Sequence, residues 1–148
     1  MRTLIWLLLA GATLAQVPDG QAPPPDPTIP KPTRVATMSE LMVKIIYPTS
    51  DAVFYITTRT PKDEVAWNDL QAKTLMLAET GNLLLLPIYA RDQDRWMKDA
   101  KLMLDAGTAA FKAAKAKDLP ALEALNDKLY ESCVTCHQHY RANYGKRP

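Results

Sequence analysis

The 148-residue chain has no basic stretch and little net charge. It carries 18 Lys and Arg against 16 Asp and Glu, which gives a formal charge of +2 at pH 7. A protein that binds nucleic acid neutralises phosphates with clustered cations, and no such cluster stands out along this chain. We therefore expect no nucleic-acid partner.

Long hydrophobic runs are also missing. The apolar run near the N-terminus, from Leu4 to about Ala10, is well short of the ~20 residues that a membrane-spanning helix needs. Arg2 precedes this run, and Thr13 and Ala15 stand at a plausible cleavage site, which is the layout of a secretory signal peptide. We expect residues 1–15 to be a signal peptide, the protein to be periplasmic, and no stable membrane insertion after the signal is removed.

Proline is concentrated in one segment. Seven of the twelve prolines fall between residues 17 and 33, where large apolar residues are nearly absent. Such a composition is typical of an extended, polyproline-like linker that packs on nothing. We interpret residues 16–33 as a Pro-rich flexible tether and residues 34–148 as one folded domain, which is long enough to bury a core.

Alternation of apolar and polar residues, the pattern of a half-buried strand, is almost absent after Arg34. Apolar residues recur instead at spacings of three and four, which predicts helices. The first helix starts near Val35 and runs into Pro48, which we expect to kink or end it. The segment 51–58 is β-branched and aromatic, and we interpret it as a continuation of this helix beyond the kink.

Three further helices follow. We expect the second to end at Gly81, acting as a C-terminal cap, and the apolar run 83–87 to be either a buried connection or an extension of that helix. The third is expected to begin near Arg91 and the fourth at Asp118. Four helices with short connections predict an all-α protein with the architecture of an antiparallel four-helix bundle.

Cysteine and histidine are scarce, with two of each, and all four fall within CVTCHQHYR, residues 133–141. On the fourth helix they extend an apolar stripe that steps by three and four residues: Leu122, Leu125, Leu129, Cys133, Cys136, Tyr140 and Tyr144. Both cysteines therefore lie on the seam that faces the core, with His137 beside them.

The order Cys133, Cys136, His137 is the motif of c-type haem attachment. One helical turn places two thiols on one face at a separation that suits the two vinyl groups of a haem, and thioether bonds then fix the macrocycle. The imidazole of His137 follows directly, where it can reach the iron as proximal ligand. The sequence predicts one covalently bound haem c inside the bundle.

Three other uses of these residues fit the pattern less well. A zinc site needs four ligands, so it would have to include His139, which lies about 200° around the helix from His137. A redox-active dithiol normally sits at a helix N-terminus after a strand. A disulfide between Cys133 and Cys136 would close a very small loop and add little stability. We expect His139 to be an exposed surface residue.

Over residues 34–144 the chain resembles the class II c-type cytochromes, the family of cytochrome c prime and its six-coordinate low-spin relatives, which are four-helix bundles. The resemblance rests on Cys133-Val134-Thr135-Cys136-His137, on the Tyr140-Arg141 pair and on Glu40-Leu41-Met42 of the first helix. It implies thioether bonds at Cys133 and Cys136, iron ligation by His137, and contact of Arg141 with the proximal side of the haem.

The same resemblance assigns the sixth iron position to a first-helix residue, which is a methionine in the low-spin members. It places Met42 there, with Met38, one turn earlier, as the alternative axial ligand. Pro48 departs from the family pattern, since it interrupts the helix six residues after Met42. Trp67 and Trp96 are interpreted as core or haem-wall packing.

The function implied is that of an electron carrier rather than an enzyme. A His/Met-ligated iron gains and loses one electron and is closed to other ligands, and its partners would be exported redox proteins. The resemblance also suggests a homodimer. The alternative function is a five-coordinate haem protein, similar to cytochrome c prime, that binds nitric oxide or another small gas.

Overall fold

A computed structural model describes residues 28–145 of the chain. The predicted signal peptide and most of the predicted tether, residues 16–27, lie outside the described residues. Residues 28–145 form helices, turns and loops and contain no β-strand, so the all-α part of the predicted fold class is confirmed. Within this part of the chain, every helix is too short or too polar to traverse a lipid bilayer.

The helical elements form four rods. They are α1 (Met38–Leu41), a π-helical segment (Met42–Ile46), α2 (Tyr47–Phe54), α3 (Glu64–Leu85), α4 (Arg95–Ala116), α5 (Leu119–Ala124) and α6 (Asn126–Tyr140). The first three elements follow one another without a break and make the first rod. Only one residue separates α5 from α6, so these two make the fourth.

Neighbouring rods pack antiparallel and form a helical bundle. Gly81 of α3 faces Leu104 of α4, whereas Ala78, earlier on α3, faces the later Gly107. The same reversal relates α4 to α6, since Trp96 of α4 contacts Tyr140 of α6 whereas the later Asp99 meets the earlier His139. The bundle encloses one apolar core to which every rod contributes, and five of its most buried residues are Val53, Leu77, Ala114, Leu122 and Leu129. Burying each of the larger side chains contributes about 1.5–3 kcal/mol to folding.

Pro48 does not end the first helix. The π-helical segment lies directly before it, and the N–H of Tyr47 donates to the carbonyl of Met42, five residues back. In a regular α-helix the proline ring clashes with the carbonyl four residues earlier, and the wider π turn relieves that crowding. The predicted continuation over 51–58 is helical as far as Phe54 and ends in turns.

The predicted cap at Gly81 is wrong. Helix α3 continues through this residue to Leu85, which also settles the apolar run 83–87 as a helix extension followed by a turn. A Cβ built on Gly81 would lie 2.7 Å from the Cα of Leu104. Gly81 is needed because the backbones of α3 and α4 approach each other here, and a glycine can serve that purpose as well as a cap.

The starts of α4 and α5 follow from acidic side chains. Helix α4 begins at Arg95, later than the predicted Arg91, because Oδ1 of Asp92 accepts a hydrogen bond from the N–H of Trp96 at 3.0 Å. The fourth rod begins where predicted, since Oδ1 of Asp118 accepts from the N–H of Ala121 at 3.0 Å. Each carboxylate satisfies backbone N–H groups that have no partner within the helix.

Candidate functional site

The cysteines and His137 lie on the second half of α6, which packs against α4. Both cysteines are half-buried free thiols, so the predicted inward orientation of the stripe is confirmed for this part of the helix. The helix ends at Tyr140, and the last predicted stripe residue, Tyr144, therefore stands in the following turn. The ring of Tyr144 packs against the imidazole of His137 in a tilted arrangement, with the two ring centroids 5.3 Å apart.

In the part of the chain that the structure describes, Cys136 and His137 line two cavities beside this half of α6. The first, called here the outer pocket, has a volume of about 330 Å³ and is lined by Met38, Ser39, Met42, Val43, Arg91, Trp96, Cys136, His137, Tyr140 and Arg141. The second, called here the inner cavity, has a volume of about 40 Å³ and is lined by Met42, Ile46, Leu84, Asp99, Ala100, Met103, Ser132, Cys133, Cys136 and His137. The outer pocket falls at the lower end of the ~300–1,000 Å³ range of ligand pockets.

The structure brings every predicted site residue to the lining of these two cavities. Met42, Cys136 and His137 line both, so they mark the place where the cavities meet. Cys133 lines only the inner cavity, and Met38 and Arg141 line only the outer pocket. Residues of the first rod and of α6, about ninety positions apart in sequence, therefore share one site.

Met42 has an unusual backbone setting. It is the first residue of the π-helical segment, and its carbonyl accepts the i→i+5 hydrogen bond from Tyr47. Single π turns inside α-helices occur frequently at functional sites. The turn therefore carries Met42 on a distorted stretch of the first rod at the junction of the two cavities.

His137 is held in a setting that favours the neutral imidazole. Burial lowers its pKa, and the positive charge of Arg141 lowers it further. A neutral imidazole keeps a nitrogen lone pair that can bind a metal. Arg141 is held close to His137 because it is the C-terminal cap of α6. Its backbone N–H donates to the carbonyl of His137 at 3.0 Å.

The thiols are held in their protonated form. Burial raises the pKa of Cys136 to about 11, and the negative charge of Asp99 adds to the effect, as does Cys133 once it is ionised. Burial also raises the pKa of Cys133. A reactive dithiol needs a lowered pKa, so the environment of both cysteines counts against the redox alternative.

The zinc alternative finds no support in the arrangement of the side chains. Within residues 28–145, no group of three or more His, Cys, Asp and Glu side chains converges on a point where it could hold a metal ion. A haem iron does not need such a group, because the macrocycle supplies four of its ligands and the protein adds one or two.

Trp96 forms a rigid wall between the core and the outer pocket. Its side chain is 2 % exposed, and its Nε1–H donates to the carbonyl of Leu84 at 2.7 Å. The ring of Tyr140 meets it edge-on at a centroid distance of 5.0 Å, and the hydroxyl of Tyr140 in turn donates to Asp92. The prediction that Trp96 packs in the core is confirmed, and Trp67 is partly buried against the same core.

Two residues of the site were not predicted from the sequence. Asp99 is buried beside the inner cavity, and its Oδ2 lies 2.6 Å from Nδ1 of His139. His139 is exposed as predicted, but it is also paired. Asp99 follows Trp96 by three positions and so stands on the apolar stripe of α4, a position that indicates a buried carboxylate. The second residue is Arg91, which nothing in the sequence marked as part of the site.

A larger groove of about 630 Å³ lies between α2 and the first half of α3. Its lining mixes charges of both signs, and one of its carboxylates, Asp51, is already paired with Arg59 at 2.7 Å. None of the predicted site residues reaches it. The smaller outer pocket, where the motif and the first-helix methionines meet, is therefore the stronger candidate.

Comparison with known proteins adds no further assignment. The chain matches no family profile, and no curated protein or solved structure shows significant similarity to it.

Proposed function

We propose that the protein is an exported mono-haem c-type cytochrome that carries single electrons between redox partner proteins. The observation that supports this most is the convergence of the Cys-x-x-Cys-His residues and a first-rod methionine on one pair of cavities, which share Met42, Cys136 and His137 as lining residues. Export is inferred from the signal-like residues 1–15 alone.

The donor set suits a covalently held haem. Two half-buried thiols stand one helical turn apart, a neutral imidazole follows them, and a thioether from another rod lines the same space. Apolar side chains such as Ala100, Met103 and Leu84 surround the inner cavity. A haem bound there would supply an iron that gains and loses one electron.

Each of the site residues has a separate role in this proposal. Cys133 and Cys136 tether the cofactor, and His137 is the proximal ligand. Met42 is the distal ligand, with Met38 as the alternative, and a thioether ligand raises the reduction potential. Arg141 lies on the His137 side, and its charge adds to the effect of burial in lowering the pKa of the imidazole.

Expression of the full chain in a host with c-type haem maturation tests the attachment. The purified protein should yield one haem per chain in a pyridine haemochrome assay, and the haem should stay with the chain after denaturation. Replacing both Cys133 and Cys136 with serine should release it. A wild-type protein without covalent haem would remove the proposal.

The distal ligand is tested by Met42→Leu, which removes the sulfur at nearly constant volume. The wild type should give a low-spin ferrous spectrum with sharp split bands and no response to carbon monoxide, and Met42→Leu should give a high-spin spectrum that responds to the gas. Met38→Leu should resemble the wild type. Met76→Leu, at a half-exposed position on α3, is the matched control.

Two results would change the assignment. A spectrum altered by Met38→Leu and unaffected by Met42→Leu would move the ligand to Met38. A wild-type protein that is high-spin and binds carbon monoxide would instead support the alternative, a five-coordinate protein that binds nitric oxide or another small gas.

A further inference from the structure

The residues that line the outer pocket include two positively charged side chains and no negatively charged one. Of the ten described residues that line it, Arg91 and Arg141 are basic and none is acidic. Both arginines are exposed, and they come from different elements: Arg91 from the connection between α3 and α4, and Arg141 from the end of α6. Two cationic side chains from different parts of the chain thus line one pocket.

Arg91 has no partner within the described chain. Its side chain forms no hydrogen bond, ion pair or ring contact with any of residues 28–145. The nearby basic residues differ, since Lys98 is paired with Asp94 at 2.6 Å and the guanidinium of Arg141 lies 5.9 Å from the centroid of the Tyr144 ring. Arg91 is therefore a lining guanidinium without a partner among the described residues, free to bind an anion.

The two ends of the site differ in chemistry. Cys133 lines only the inner cavity, whereas Arg91 and Arg141 line only the outer pocket, and Cys136 lies between them. A haem is equally asymmetric, because its two vinyl groups and its two propionate carboxylates lie on opposite edges. Thioether bonds at the cysteines would direct the carboxylates away from Cys133 and towards the arginines.

We propose that Arg91 binds a propionate carboxylate of the haem and thereby sets the orientation and reduction potential of the cofactor. This inference rests on the proposed function and assigns a role to a residue that neither the motif nor the family resemblance includes. Arginine suits the role because its planar guanidinium makes paired hydrogen bonds to a carboxylate.

The test compares Arg91→Gln and Arg91→Lys with Arg95→Gln in the haem-loaded protein. Arg95 is also exposed and lies four residues further along, but it does not line the outer pocket. The measurement is the midpoint reduction potential as a function of pH. All variants should retain one covalent haem, because the attachment depends on the cysteines.

Removing the positive charge at Arg91 should stabilise the oxidised iron, so Arg91→Gln should lower the potential more than Arg95→Gln does. A carboxylate that loses a guanidinium partner also becomes easier to protonate. The pH range in which the potential depends on pH should therefore move upward in Arg91→Gln, and Arg91→Lys should restore part of both effects.

Equal behaviour of Arg91→Gln and Arg95→Gln, in potential and in pH dependence, would overturn this inference while leaving the proposed function intact. Absence of covalent haem from the wild-type protein would overturn both. A lowered potential with an unchanged pH profile would also contradict it, since a carboxylate contact requires the two effects together.

Discussion

The backbones of α3 and α4 approach closely at Gly81, and this contact leads to a quantitative prediction. A Cβ at this position would lie 2.7 Å from the Cα and 2.8 Å from the Cβ of Leu104. Because the nearest atom belongs to the backbone, no side-chain rotation relieves the overlap, and the two helices must separate. Overpacking of this kind costs about 1–3 kcal/mol, while alanine gains about 1 kcal/mol of helix propensity over glycine.

The steric term should exceed the propensity gain, because movement of a whole helix disturbs the core on either side of the crossing. Subtracting the propensity gain, we expect Gly81→Ala to lower the free energy of unfolding by about 1–2 kcal/mol and the Tm by roughly 3–10 °C. Urea unfolding followed by circular dichroism measures the first quantity. Asn82→Ala, at the neighbouring exposed position, should be nearly neutral.

Two further variants separate the crossing from a helix cap. Adding Leu104→Ala should not rescue Gly81→Ala, since the Cα of residue 104 remains in place. Gly81→Asn should be worse than Gly81→Ala, because the larger side chain meets the same backbone, whereas a C-terminal cap tolerates asparagine. A Gly81→Ala protein as stable as the wild type, or an Asn variant more stable than the Ala variant, would refute the reasoning.

Three other predictions concern the thiols, the fourth rod and the pocket wall. With its pKa raised to about 11, Cys136 should titrate above pH 9 when absorbance at 240 nm is followed in the cofactor-free chain. The chain should lose stability between pH 9 and 11, because the unfolded thiol ionises first, and Cys136→Ser should reduce that loss, the remainder coming from Cys133, whose pKa is also raised. Asp118→Ala removes the hydrogen bond to the N–H of Ala121 and should cost about 1 kcal/mol in urea unfolding. Trp96→Phe leaves the buried carbonyl of Leu84 without its donor and should cost about 1–3 kcal/mol, and a fully stable variant would mean that the hydrogen bond contributes nothing.

The parts of the fold that sequence reasoning predicted correctly depend on local contacts. Asp118 caps the helix that begins at the next residue by accepting from an N–H three residues away, and the stripe on α6 depends on spacings of three and four. Gly81 was assigned the wrong role because the presence of a glycine does not by itself distinguish a helix cap from a close helix crossing. That distinction depends on Leu104, which is far along the chain.

The same limit applies to the candidate site. The spacing of Cys133, Cys136 and His137 was readable because it lies within two turns of one helix. Asp99 meets His139 across forty residues, and Arg91 reaches the outer pocket from a connecting segment, so neither followed from periodicity. Pairings of this kind are created by the packing of the rods.

The π-helical segment also changes the helical phase of the first rod. A π turn contains one residue more than an α turn, so everything on its N-terminal side is rotated by about 100° relative to a continuous α-helix. The direction in which Met38 faces is therefore not the one that extending α2 backwards would give. Deleting one residue between 43 and 46 would therefore remove the π turn and leave both Met38 and α2 facing as they do now, because the turn accommodates one extra residue. Converting the segment to a regular α-helix at constant length would instead turn Met38 by about 100° relative to α2. The π turn before Pro48 thus decides which first-rod side chains face α6.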